Sequence, residues 1–240
     1  MNNWASWGAS VTGPAHVMSG AENQDACGAW HFSWGDVLVV SDGLGSCPNS
    51  AKGARLACES VRHAAEFCAE TGSWRFHDLA HFIQVIWRML VSPDSPRNCS
   101  ATCLFVIRVH GGDVIMGALG DGLLAGVKTD GSLKVLSFNK EDSFANVTTS
   151  LSATPGKCWL IHRGADIDFR GFLLCTDGVA DDLLPEAVDG FVPETLSHYS
   201  TINCEDASAQ VTAWLEAWPV PGHTDDKTIA CLYQLNDSNA

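Results

Sequence analysis

Residues 37–41 read VLVVS, and the apolar run stops at Asp42-Gly43. A short run without polar alternation predicts a strand covered on both faces. The same pattern recurs in ATCLFVIRV (101–109), DVIMGAL (113–119), LLAGVK (123–128), LKVLSF (133–138), GFLLCT (171–176) and TIACLYQL (228–235). HGGD (110–113) and KTDGS (128–132) have hairpin-turn composition, so an antiparallel meander is expected across 101–138. Residues 139–170 carry little strand signal and are a candidate flap near the functional site.

Three stretches have helical periodicity instead. From Ser50, a candidate N-cap, Ala54, Ala57, Val61, Ala64 and Cys68 form one stripe. From Asp78, Leu79, Phe82, Ile83, Ile86 and Leu90 share a face. From Asp206, Val211, Trp214, Leu215 and Trp218 align, and Pro219 follows. One-sided helices pack on something flat, which places sheets inside and helices outside. Frequent hairpins, and helices that do not alternate with strands, favour an α+β two-sheet sandwich over a parallel doubly wound fold. The proline-containing stretches 91–98 and 218–226 are too short to mark a boundary, so residues 1–240 are read as one domain.

Composition narrows the function. With 46% hydrophobic and 18% charged residues, the chain has the balance of a folded protein. A net charge of −14 repels nucleic-acid backbones and anionic membrane surfaces, so neither is an expected partner. No apolar run is long enough to span a bilayer. MNNWASWGAS lacks the basic and apolar segments of a secretory signal, and the ten cysteines are scattered without a C-x-x-C. The expectation is a reduced, cytoplasmic protein.

The chemistry lies where apolar runs end. Asp42-Gly43, Asp121-Gly122 and Asp177-Gly178 each follow one, Asp225 and Asp226 precede another, and Asp25 stands before a short strand-like stretch. Asp-Gly is ordinary turn chemistry, and Asp130-Gly131 is read that way. A long excursion or helical segment, not a tight hairpin, follows Asp42 and Asp177. If these acids converge, their repulsion demands a cation. Ligands that are all oxygen select a hard ion, Mg²⁺ or Mn²⁺, over Zn²⁺. Two such ions could activate a water for in-line displacement at phosphorus.

ENQDA, VVSDGLGS followed by GARLA, NCSATCLFV, ALGDG, FLLCTDGVADDL and TDDKTIACL occur in the order found in type 2C metal-dependent protein phosphatases. The chain resembles their compact bacterial branch over residues 10–235, including FANVTTSL (144–151). The resemblance implies a four-layer α-β-β-α sandwich, two antiparallel sheets flanked by helices. It implies hydrolysis of phosphoserine and phosphothreonine with two Mg²⁺ or Mn²⁺ ions and a third, weaker ion. Asp42 would bridge two ions and the Gly43 carbonyl would contact one. Asp177 and Asp225 would complete the first site, and Asp25 would hold the second ion directly or through water. Asp121 would serve the third with Asp177. Asp226 falls where relatives often carry Asn, so it would support the ligands. The implied partner is a phosphorylated protein, with a cognate serine/threonine kinase or its target nearby.

Two departures stand out. An Arg that binds phosphate in many relatives is replaced by Gly20, leaving His16 and Arg97 as candidate substitutes. Its loss is expected to weaken substrate binding by about 1.5–3 kcal/mol. A His that follows Asp-Gly in many eukaryotic relatives, proposed there as general acid, is Leu44. Both departures keep a non-catalytic, phosphate-sensing or scaffold member open, and a two-metal small-molecule phosphoester hydrolase is a third possibility. His77 and His81 lack a third zinc ligand, so they are read as helix surface. Cys99, Cys103, Trp214 and Trp218 are read as core, and Ser100 and Thr102 as structural.

Overall fold

The structure, a computed structural model, describes residues 3–74, 76–137, 149–153 and 158–235, without the side chains of Phe76 and His77. In chain order the elements are β1 (Trp4–Val11), α1 (Pro14–Ser19), β2 (Ala26–His31), β3 (Gly35–Ser41), α2 (Ser50–Thr71), α3 (Phe76–Val91), β4 (Cys103–Val109) and β5 (Asp113–Leu119). Then follow β6 (Leu123–Lys128), β7 (Leu133–Ser137), β8 (Leu160–Ala165), β9 (Phe169–Cys175), α4 (Asp177–Ala180), α5 (Val188–Tyr199), α6 (Cys204–Glu216) and β10 (Lys227–Gln234).

Successive strand residues point to opposite faces, and here both faces are buried. On β3, Val37 and Val39 join a core with Ala57, Val61 and Ile83 of α2 and α3. Leu38 and Val40 point the other way and meet Phe172, Leu174 and Leu232 of β9 and β10. A third core joins Leu173 and Ile229 to Val192 of α5 and Val211 of α6. The layers are therefore α2/α3, a sheet β2-β3-β4-β5-β8, a sheet β1-β10-β9-β6-β7, and α5/α6. All strand pairs are antiparallel. This is the four-layer α+β sandwich expected. No helix among the described residues is long and apolar enough to cross a membrane.

Several local expectations are corrected. The 101–138 stretch is not one meander: β4 and β5 pair in one sheet, β6 and β7 in the other. The chain changes sheets at Gly120-Asp121-Gly122, where both glycines have positive φ (96° and 106°). Residues 160–165 form β8, an edge strand paired with β5, so that part of the candidate flap belongs to a sheet. Residues 139–148 of the flap, and most of FANVTTSL, lie outside the described residues. The cap of α2 is Asn49, and Ser50 is the first helical residue. The pairing of His77 with His81 also falls outside the described side chains.

The two ends of β3 carry different chemistry. At its start, buried Asp36 pairs with Arg108, which also pairs with Asp166 and lies over the Trp4 ring. This cluster of one cation between two acids ties both sheets together at one end. The other end opens on Asp42.

Candidate metal centre

Antiparallel pairing brings five distant segments to that end. β3, β5 and β9 finish there, while β2 and β10 start there. Asp42 follows β3 directly, and Thr102 grips it from both sides. The Thr102 Oγ1 accepts the Asp42 N–H at 2.9 Å, and the Thr102 N–H donates to the Asp42 carbonyl at 2.7 Å. At Gly43 a Cβ would fall 2.7 Å from the carbonyl oxygens of Gln24 and Ser50, so a side chain is excluded. Asp177 opens α4, and a Cβ on Gly178 would fall 1.9 Å from the Asp226 carbonyl oxygen. The turns carrying Asp177 and Asp225 are therefore in direct backbone contact. Asp25 is buried, and its Oδ2 accepts from Thr176 Oγ1 at 2.7 Å.

Carboxylate oxygens of Asp42, Asp121 and Asp177 all lie within 4.8 Å of one another. Burial pushes the Asp177 carboxyl up to about 8, and the charges of Asp42, Asp121 and Asp225 add to it. Burial likewise raises Asp25 to about 7, opposed by its hydrogen bond from Thr176. Asp42 is also raised, first by burial and then by Asp25 and Asp225. Without a cation these groups hold protons at a pH where an isolated Asp would not. A cluster of hard oxygen donors with this much unbalanced charge fits a divalent ion such as Mg²⁺ or Mn²⁺. The tightest group differs from the expected first set. Asp121 belongs to it, whereas Asp225 stands on the exposed rim, felt by Asp42 and Asp177 through its charge. A cavity of 240 Å³ opens beside the trio, lined by Asp177, Asp181, Asp182, His223, Asp225 and Lys227.

A profile of the family described as Protein phosphatase 2C matches residues 12–216. The chain belongs to the protein phosphatase 2C family. The match contains Asp25, Asp42, Asp121 and Asp177, and Asp225 lies beyond it. Among solved structures, PppA of Pseudomonas aeruginosa is similar at 17% identity and a TM-score of 0.65, covering 97% of this chain and 98% of that one. Stp1, a serine/threonine phosphatase from Staphylococcus aureus, matches at 13% identity and 0.64, covering 97% and 95%. RsbX, solved in complex with magnesium, matches at 12% identity and 0.60, covering 96% and 94%. These likenesses concern the fold. A search of curated proteins by sequence gives no match.

Within this 2C fold the departures acquire physical causes. Gly20 is the left-handed C-cap of α1 (φ 71°), a conformation that disfavours a side chain. His16, one turn earlier, has its Nδ1 2.8 Å from Asp226 Oδ2. Asp226 is 2% exposed and also accepts the N–H groups of Gly13 (2.7 Å) and Gln24 (2.6 Å). It therefore joins the segment before Asp25 to the start of β10. Arg97 is exposed on the turn Pro96–Cys99, and its carbonyl accepts from Ser100 Oγ. Nothing among the described contacts draws its guanidinium to the acids. Leu44 donates its N–H to the Ser100 carbonyl at 2.9 Å and brings no proton-transfer group. Cys99 and Cys103 are core, as expected. Trp214 packs beside Trp218, whose Nε1 donates to Asp182 at 2.6 Å.

Sequence reasoning missed Lys227, a cation only 1% exposed whose Nζ donates to the Asp225 carbonyl at 2.9 Å. It also missed Thr176 as the hydroxyl partner of Asp25; its place immediately before Asp177 was the only signal. Thr102 carries a direct prediction. Thr102→Val keeps the shape and removes the hydroxyl that accepts the Asp42 N–H. Manganese affinity measured by calorimetry should fall roughly tenfold, the effect of one hydrogen bond worth about 1.4 kcal/mol. An unchanged affinity would show that Asp42 is held without it.

Proposed function

We propose that the chain is a metal-dependent serine/threonine protein phosphatase acting as one domain over residues 1–240. The observation that carries this reading is the convergence of Asp42, Asp121 and Asp177 within 4.8 Å at one end of a 2C sandwich. In this reading Asp42 would serve two ions and the Gly43 carbonyl one of them. Asp177 and Asp225 would hold the first ion, Asp25 the second directly or through water, and Asp121 a third with Asp177. Bound Mg²⁺ or Mn²⁺ supplies an acidified water and positive charge against the phosphoryl oxygens.

The residues of the chain prepare that chemistry. Thr102 fixes the backbone of Asp42, and Thr176 orients Asp25. Lys227 restrains the carbonyl of Asp225 and places a positive charge beneath an acidic rim. The exposed rim around Asp225 leaves room for a phosphorylated side chain on a protein surface. The substrate is a phosphoprotein, with a serine/threonine kinase or its target as associated partner, in the cytoplasm. The scattered cysteines, all ten of them free thiols, agree with a reducing compartment.

Manganese-dependent release of phosphate from phosphoserine and phosphothreonine peptides tests the reading. Faster turnover of nucleotides than of peptides would replace it with a small-molecule hydrolase. Gly20 and Leu44 favour one alternative, a member that binds phosphopeptide without cleaving it. Calorimetry showing phosphopeptide binding, with no phosphate released in the presence of Mn²⁺, would establish that alternative.

A further inference from the structure

We propose that His16, held by Asp226, donates the proton to the departing serine or threonine oxygen. The inference rests on the phosphatase reading and adds a catalytic residue to it. An alkoxide is a poor leaving group, so breaking its bond to phosphorus needs a proton from the protein. Carboxylates engaged with divalent ions are acceptors and cannot supply it. Lys227 is buried and already donates to the Asp225 carbonyl.

His16 and Asp226 have the geometry of a proton-donating pair. Asp226 accepts the Gly13 N–H on Oδ1 and the Gln24 N–H on Oδ2. A carboxylate surrounded by N–H donors acts only as acceptor, so His16 Nδ1 carries the hydrogen between them. That fixes the ring and leaves Nε2 as the nitrogen that exchanges protons. The His16 side chain is 21% exposed, so it is neither sealed in a core nor free in solvent.

The surroundings argue against a purely packing role. No residue of α1 is buried, and Val17 and Met18 are 66% and 80% exposed. The helix adds nothing to the hydrophobic cores, yet it is pinned in place. The Ala15 N–H donates to the Thr224 carbonyl at 3.1 Å. A Cβ on Gly13 would fall 2.2 Å from the carbonyl carbon of Asp225, so the two backbones touch. The imidazole is thus mounted on the two segments that carry Asp25 and Asp225.

The step balances as follows. Water forms the new bond to phosphorus, and the ester P–O bond breaks with its electron pair left on the serine or threonine oxygen. The imidazole, protonated on both nitrogens, gives its Nε2 proton to that oxygen. One proton shed by the attacking water restores the imidazole, and the other remains on the released phosphate.

The test compares leaving groups. His16→Gln and Asp226→Asn are assayed with Mn²⁺ on a phosphothreonine peptide and on p-nitrophenyl phosphate, whose leaving group needs no proton. Peptide kcat should fall about 100-fold in His16→Gln, at the low end of general-acid effects, and aryl phosphate kcat by less than about tenfold. Asp226→Asn should move the ratio in the same direction. Manganese affinity of His16→Gln, measured by calorimetry, should stay near that of the parent, which shows the acid cluster intact. Equal losses on both esters, a rise in KM alone, or a loss of manganese affinity would each overturn the assignment. So would the leaving-group signature appearing in His223→Gln and not in His16→Gln. If the parent protein releases phosphate from neither ester, the phosphatase reading itself has failed, a result visible before any variant is made.

Discussion

Asp177→Asn is expected to abolish manganese-dependent phosphate release, with a loss of more than about 100-fold, because even residues that only orient metal ligands cost 10–100-fold when removed. Asp177 is where the site's interactions concentrate. Its carboxylate lies within 4.8 Å of those of Asp42 and Asp121, and its proton affinity responds to Asp42, Asp121, Asp225 and Asp181. Asn is nearly the same size, so α4 and its contact through Gly178 should survive. What changes is one negative charge and one strong oxygen donor.

The same substitution should act in the opposite direction on the metal-free protein. Without a cation, burial and the neighbouring acids make the folded protein keep a proton on Asp177 that the unfolded chain releases at about 4, and Asn removes that cost. Asp177→Asn should therefore bind manganese more weakly in calorimetry yet melt at a higher temperature in chelator. Asp130→Asn is the matched control. Asp130 is fully exposed in the hairpin between β6 and β7, where it accepts from Ser132. It should leave turnover and manganese affinity alone. Parent-level turnover in Asp177→Asn would mean that the acids meet without serving the chemistry.

How much of this was legible in the chain depended on burial. Strands covered on both faces, such as β3 and β10, announce themselves as apolar runs, and the acids at their ends followed from them. The stripe Ala54, Ala57, Val61, Ala64 and Cys68 marked α2 for the same reason, since all five are buried. Elements with little to bury left no such mark. β1, WASWGASV, mixes small polar residues with two tryptophans, and edge strand β8, LIHRGA, is half exposed. α1 buries nothing, and α5 carries Pro193 inside it. The change of sheet at Gly120-Asp121-Gly122 was hidden because a crossing and a hairpin use the same turn residues. Only the strand pairing separates them: β5 pairs with β4 and β8, and β6 with β7 and β9. The joining role of Asp226 could not be read at all. Two of its three partners are backbone N–H groups more than 200 residues away in sequence, and backbone donors have no sequence signature.

Divalent ions should stabilise the fold, and the gain should grow with pH. In the metal-free protein Asp25 and Asp177 hold protons up to about 7 and about 8, and burial raises Asp42 as well. In the unfolded chain the same groups ionise near 4. Between those limits the folded state binds more protons than the unfolded one. Stability then falls as pH rises, and the favourable contribution present below 4 is lost as pH passes through 7 and 8. An ion competes with those protons for the same oxygens, so it binds best where the metal-free fold is weakest. At 100 times its Kd, an ion adds about 2.7 kcal/mol, or roughly 5–10 °C in Tm for a chain of this size. Thermal unfolding from pH 5 to 8.5, in chelator and in manganese, measures both effects. The chelated curve should decline across that range, the manganese curve should decline less, and Asp177→Asn should flatten the chelated one. A chelated Tm independent of pH between 5 and 8 would mean that these carboxyls are already ionised and tolerated without a cation. The electrostatic case for a metal centre would then fall, even with the three aspartates side by side.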